Sequence, residues 1–141
     1  MTEADLKLVV EMNIDYYNNV EDSCWTYDKC YKRVYQVFSM EDSYCMVQLD
    51  DDGKLVGSIV GFIKEFDDIT GYFLEEIVIA RDSQNKGYGT AFFQELENRL
   101  KEKGIVHIDL MSVNDEMHRH FYKKLGLYEA DNFAVMGKFF E

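Results

Sequence analysis

Apolar residues recur along the first forty positions at the spacing of a helix. Leu6, Val10, Asn13 and Tyr17 fall on one stripe and Thr2 with Asp5 supplies a capping start, so residues 4–18 read as a helix with one buried face. A second start at Thr26 is followed by Tyr27, Tyr31, Val34, Tyr35 and Phe38, again the pattern of an amphipathic helix. The period then changes from helical to extended. YCMVQL (44–49) and KLVGSIVGFI (54–63) flank Asp50-Asp51-Asp52-Gly53, whose residues suit the turn of a hairpin. YFLEEIVIA (72–80), rich in β-branched and aromatic residues, reads as a third strand pairing with the second.

From Gly87 to Lys103 the residues Phe92, Leu96 and Leu100 recur every four and Gly104 ends the pattern, which predicts a helix of about four turns. IVHIDLM (105–111) is a fourth strand. Strand, crossover helix and strand form a βαβ unit whose two strands should lie parallel, joined by a right-handed connection. Asn114 or Asp115 caps a last helix carrying Met117, Phe121 and Leu125, stopped by Gly126, and a final strand or strand pair is expected across 127–140. The fold class is therefore α/β or α+β, a mixed and mostly antiparallel sheet with a central parallel βαβ unit and flanking helices.

A chain of 141 residues without repeat, linker or low-complexity tract is expected to form one domain, 1–141. Its 15 Lys and Arg against 27 Asp and Glu leave a net charge of −12, which disfavours nucleic acid and anionic membranes and favours a cationic acceptor or partner. Hydrophobic residues make up 47%, so the charge belongs to a folded chain's surface. Cys24, Cys30 and Cys45 form neither a CxxC nor a zinc-ligand spacing, and His118 and His120 diverge on a helix, so no metal is expected. An odd number of cysteines and an acidic start, MTEADLKLVVEMNIDYY, fit a reduced, cytoplasmic protein without an export signal or membrane span.

Chemistry concentrates between the third strand and its helix. In Ala80-Arg81-Asp82-Ser83-Gln84-Asn85-Lys86-Gly87-Tyr88-Gly89-Thr90 two glycines turn directly into a helix N-terminus, where unpartnered NH groups and the positive dipole end can hold a phosphate. Arg81 and Lys86 add positive charge locally. The same glycines suit a tight strand-to-helix turn with no ligand. Neither GxxxxGK[ST] nor GxGxxG is present, because Phe92 stands where the latter needs its third glycine, so P-loop and Rossmann readings are disfavoured.

Gln84-Asn85-Lys86-Gly87-Tyr88-Gly89 resembles the Q/R-x-x-G-x-G/A signature of the GNAT superfamily of acetyl-CoA-dependent N-acetyltransferases. Phe121-Tyr122-Lys123-Lys124-Leu125-Gly126-Leu127 is similar to that family's FYxKLGF block, with Leu127 in place of Phe. The two blocks stand in the family's order, and the resemblance covers residues 42–140. It implies that the pyrophosphate of acetyl-CoA, the co-substrate, lies on the amides of Gln84, Asn85, Lys86, Gly87, Tyr88, Gly89 and Thr90. The pantetheine arm would pair with the backbone of Ile77, Val78 and Ile79, in a gap where the third and fourth strands splay. A family asparagine that contacts the arm aligns with Asp115, with Asn114 one residue away.

Acetyl transfer to an amine needs a neutral nucleophile, a polarised carbonyl and a proton for the departing thiolate. The resemblance gives Tyr122 the last role, and the NH of Val78 or Ile79 the second. Tyr122 also fits as a core aromatic beside Phe121. The resemblance also implies a base at Glu75, four residues before Ile79, where polyamine and glucosamine-phosphate acetyltransferases of the superfamily carry an acid, with Glu76 binding the acceptor, or the reverse; strand alternation allows only one of them into a given cleft, and both would otherwise lie on a solvated edge. Tyr16, Tyr17, Trp25, Tyr27 and Tyr31 border the acceptor side in the family, and a stripe of core residues explains them too. Glu21, Asp22, Asp28, Glu65, Asp67 and Asp68 suggest a protonated amine on a small molecule or peptide. A catalytically silent acyl-CoA sensor or interaction subunit of the same fold is the alternative, and an acidic domain for a basic partner is a third. The VMGKFF segment is expected to be able to pair with a second subunit in a homodimer.

Overall fold

A computed structural model describes all of residues 1–141, which divide into two compact units, Met1–Met111 and Ser112–Glu141. The first opens with a 3-10 turn, Glu3–Asp5, closed by reciprocal hydrogen bonds between Thr2 and Asp5, and leads into α1 (Leu6–Val20). Thr26 caps α2 (Tyr27–Phe38) by accepting from the Lys29 NH. Leu6, Val9 and Val10 of α1 meet Cys30, Val34 and Val37 of α2 and Val60 of the sheet in one buried cluster.

The sheet has the order β1-β2-β3-β4, formed by Met46–Leu49, Leu55–Glu65, Thr70–Ile79 and His107–Asp109. β1, β2 and β3 are antiparallel, and β4 runs parallel to β3 after α3 (Tyr88–Glu102), as the βαβ reading requires. β2 is buried without a break from Val56 to Gly61, because α1 and α2 pack on one face and α3 on the other. Phe92, Phe93, Leu96 and Leu100 are the buried side of α3.

Two departures from a regular sheet lie near the loop after β3. Val60 pairs with Glu76 but the next residue, Gly61, pairs with Leu74, so Glu75 is an extra residue bulged out of β3. β4 pairs with β3 only across Gly71, Tyr72 and Phe73. From Leu74 to Ile79 the edge of β3 on that side has no strand neighbour.

In the second unit Asp115 caps α4 (Glu116–Lys124) by accepting from the His118 NH at 2.7 Å. The expected strand or strand pair over 127–140 is absent: these residues enter no ladder, and Phe133, Val135, Met136, Phe139 and Phe140 are exposed. An apolar run becomes a strand only when a neighbour satisfies its backbone, and FAVMGKFF has apolar residues on both faces with no alternation to choose one. The strand offered for pairing with a second subunit is accordingly not formed. Met117, one of the apolar residues that α4 carries, is 61% exposed. No helix is long and apolar enough to cross a membrane.

Candidate functional site

The loop after β3 has the form that the sequence suggests. Ala80 NH donates to Val56 O, ending the ladder, and a single 3-10 turn, Arg81–Ser83, leads to Gln84, whose side chain donates to Ile79 O at 3.2 Å. Asn85 and Gly87 then take left-handed backbone conformations, with φ of 61° and 83°. A Cβ at Gly87 would meet nothing within 4 Å, so its glycine is required by φ and not by crowding. Gly87 also stands at the N-cap of α3 without a capping side chain, and the Ala91 NH is the helical amide that reaches back to its carbonyl. The amides before Ala91 therefore present an anion-binding helix start.

Charge around the loop is arranged differently from the expectation. Arg81 is spent on Asp15 of α1, with two hydrogen bonds of 3.1 Å, so it is not a free cation for a phosphate. Lys86 donates to Asp82 O at 3.2 Å from an exposed position and stays with the loop.

The open edge of β3 leads to this loop. Because Ala80 turns its NH towards β2, strand alternation turns the peptide groups of Ile79 and Ile77 towards the open edge and those of Val78 back to β2. This corrects the expectation for Val78, whose NH is committed to the sheet. The backbone groups of Ile77 and the NH of Ile79 are the ones on offer to a ligand, the Ile79 carbonyl already accepting from Gln84.

Glu75 and Glu76 do not diverge. The bulge breaks the two-residue period, and both carboxylates meet Arg33 of α2: Glu75 Oε1 pairs with its NH2 group and Glu76 Oε1 lies 3.8 Å from its Nε. Their surroundings differ. The Glu76 side chain is 10% exposed, and its Oε2 accepts from Asn13 Nδ2 at 3.3 Å. Burial pushes its pKa up to about 7; Arg33 pulls it down, while Glu75 and Glu21 push it further up. Tyr17 of α1 shares this environment, and burial, then Glu76, drive its phenol well above the usual range. Glu76 is thus a carboxyl that changes charge near neutrality, beside an ion pair.

Of the acids expected near an acceptor, Glu21 acts on this group. Glu65, Asp67 and Asp68 do not. They line an open depression with Phe66, Ile69, Thr70, Gly104 and Val106 at the other end of the β2–β3 hairpin. Six residues at ~3.3 Å each put Thr70 about 20 Å along the strand from Glu76. No group of three or more His, Cys, Asp or Glu could hold a metal ion, and all three cysteines are free thiols.

Tyr122 and Asn114 belong to the second unit. Tyr122 is half-buried in α4, with its ring edge-on to Phe121 at 5.1 Å. Asn114 Oδ1 accepts from Arg119. Asn13, Ser58 and Arg33 were not among the sequence candidates. Asn13 left one trace there, as the polar member of an otherwise apolar helical stripe; Arg33 left none, because nothing local distinguishes it from a solvated cation.

Comparison with known proteins bears on this arrangement. The acetyltransferase (GNAT) family profile matches residues 7–127. An uncharacterized protein, YxbD of Bacillus subtilis (strain 168), is 35% identical over 95 residues, covering 67% of this chain; the match spans 54% of that protein, about half its length. Among solved structures, a possible acetyltransferase from Clostridium difficile 630 is 19% identical with a TM-score of 0.81, over 100% of this chain and 95% of the other. The aminoglycoside acetyltransferase meta-AAC0020 from an uncultured soil metagenomic sample, in complex with sisomicin, is 14% identical with a TM-score of 0.75, over 100% and 93%. Aminoglycoside N-acetyltransferase AAC(6')-Iy in complex with CoA is 12% identical with a TM-score of 0.75, over 98% and 91%. These structures share the fold.

Proposed function

The chain belongs to the acetyltransferase (GNAT) family, and from that membership we propose that it transfers the acetyl group of acetyl-CoA to a primary amine of a small molecule or peptide, with Glu76 as the base. One juxtaposition carries this reading: a buried carboxyl poised near neutrality stands on the strand whose open edge runs to an uncapped helix N-terminus. The first is what an amine needs in order to lose a proton, and the second is what a long anionic donor needs in order to lie along a strand. That similar folds hold CoA in one case and sisomicin in another supports a coenzyme A donor and an amine acceptor.

In this reading the amides of residues 84–90 receive the pyrophosphate, with Lys86 beside them. The backbone groups of Ile77 receive the pantetheine arm, and the Ile79 NH is aimed at the thioester oxygen. Glu76 takes one proton from the incoming ammonium, leaving a neutral nitrogen whose lone pair attacks the acetyl carbon. As the C–N bond forms and the C–S bond breaks, the sulfur takes a proton, the role that the family resemblance assigns to the Tyr122 phenol. The nitrogen's second proton replaces the one given, and Glu76 releases the first to solvent. One proton leaves for each ammonium acetylated, so the step balances without an acyl-enzyme.

The test is calorimetric titration of the protein with acetyl-CoA, repeated on Gly87→Glu, followed by an amine screen with Glu76→Gln and Tyr122→Phe as chemical controls. Gly87→Glu is expected to weaken binding at least ~100-fold, since it sets a negative charge against the phosphates. Binding by the parent protein with no amine acetylated would leave the silent acyl-CoA sensor in its place. Absence of acetyl-CoA binding in the parent protein would overturn both.

A further inference from the structure

Asn13 lies on the apolar face of α1 next to Val9 and Val10 and is fully buried. An amide in such a place is destabilising unless its donors and acceptor are met. Its Oδ1 accepts from Ser58 Oγ at 3.3 Å, and Ser58 is itself fully buried on β2. Its Nδ2 donates to Glu76 Oε2 at 3.3 Å. Glu76 fixes which way the amide faces, because turning it over would set its oxygen against a carboxylate, and the Ser58 hydroxyl, donating to Oδ1, holds it there.

We propose that Asn13 is the positioning residue of the base: held in one orientation by Ser58, it ties the Glu76 carboxylate to α1 and donates to it from a side chain that cannot leave. The proposal rests on the reading of Glu76 as the base. Arg33, which faces Glu76 from α2, is 40% exposed and also serves Glu75, so it is free to shift with solvent or with an entering cation. The remaining charged and titratable groups around Glu76 are Glu75 on its own strand, Tyr17 and Glu21 from α1 and its end, and Cys30 from α2. Both Arg33 and Asn13 stay donors at every pH, but of the two only Asn13 is fully buried and so holds one position. A donor to a carboxylate favours its ionised form, the one that accepts a proton, and a fixed rotamer keeps that oxygen at one distance from the bound amine.

The experiment follows the Glu76 carboxyl carbon by NMR in the full chain labelled with [13C]glutamate, the signal being assigned by its loss in Glu76→Gln. Asn13→Leu keeps the volume without a donor or an acceptor and adds no charge, and Asn13→Ala removes the volume as well. Each is expected to move the Glu76 titration midpoint upward by about one pH unit. Ser58→Ala, which frees the amide to rotate without touching Glu76, is expected to move it in the same direction by less, and it decides the matter if the Asn13 variants do not fold. With any amine the protein acetylates, the acid limb of the kcat/KM profile moves by the same amount while the affinity for acetyl-CoA stays put; a merely structural asparagine would lower the rate equally at all pH values. An unchanged midpoint in all folded variants overturns the role of Asn13 even in an active enzyme. A shifted midpoint in a protein that acetylates no amine overturns the enzyme reading and leaves the Asn13–Glu76 coupling standing.

Discussion

Glu76 is held in a state that works against the fold. Its pKa rises from 4.5 to about 7, chiefly because burial penalises the carboxylate. The native state then binds more protons than the unfolded chain between those two values, so stability falls as pH rises from about 4.5 to about 7 and is level above that. At 1.36 kcal/mol per pKa unit the effect is of order 3 kcal/mol. Glu76→Gln removes the charge, so urea unfolding at pH 5 and pH 8 should find the variant close to the parent at pH 5 and about 2 kcal/mol more stable at pH 8. The same substitution should lower amine acetylation by ~100-fold or more. For the parent protein kcat/KM should rise with pH through an acid limb near 7; a flat profile from pH 5 to 8 would remove Glu76 from the chemistry.

At the scale of the element, the β3 bulge decides the site. Glu75 has no partner on β2, whereas Leu74 and Glu76 pair with adjacent residues there, so deleting Glu75 leaves a continuous ladder. The shortened chain is expected to fold, with a cooperative melt and acetyl-CoA binding retained. Two effects then act on Glu76 in one direction: Arg33 loses its other carboxylate and turns to Glu76, and the repulsion from Glu75 disappears. The acid limb should move below pH 7, and a weaker base should slow transfer. An unchanged limb would show that the bulge has no part in setting the base.

This element also marks how far the sequence could be read. Both opening helices, the Asp50–Gly53 hairpin, the parallel βαβ unit and the glycine loop were legible, because each rests on local periodicity or turn chemistry. The bulge was not: Leu74-Glu75-Glu76-Ile77 reads as ordinary alternation, and the break exists only in the register against β2. Arg33 and Ser58 were hidden for the same reason, since the role of each comes from a residue more than forty positions away in the chain. The segment 127–140 erred the other way: its composition is that of a strand, yet the sheet supplies no neighbour.

For the whole molecule the net charge of −12 sets opposite conditions for the two proposed substrates. A cationic amine is drawn in and an anionic coenzyme is held off, apart from the local help of Lys86 and the α3 amides. Salt shortens the reach of both effects, from about 10 Å at 0.1 M to about 3 Å at 1 M. Raising ionic strength should therefore tighten acetyl-CoA binding a few-fold and raise the KM of a cationic acceptor by ~10-fold. Movement of both in the same direction would contradict an acceptor site governed by the acidic surface.

The bulge also has a meaning for inheritance. Glu75 is one residue set between two that already pair, so its gain or loss is the gain or loss of a single codon with the reading frame kept. On the proposed reading, one such codon would separate a strand that sets two acids against Arg33 from one that sets a single acid there, and neither form requires the sheet to be rebuilt.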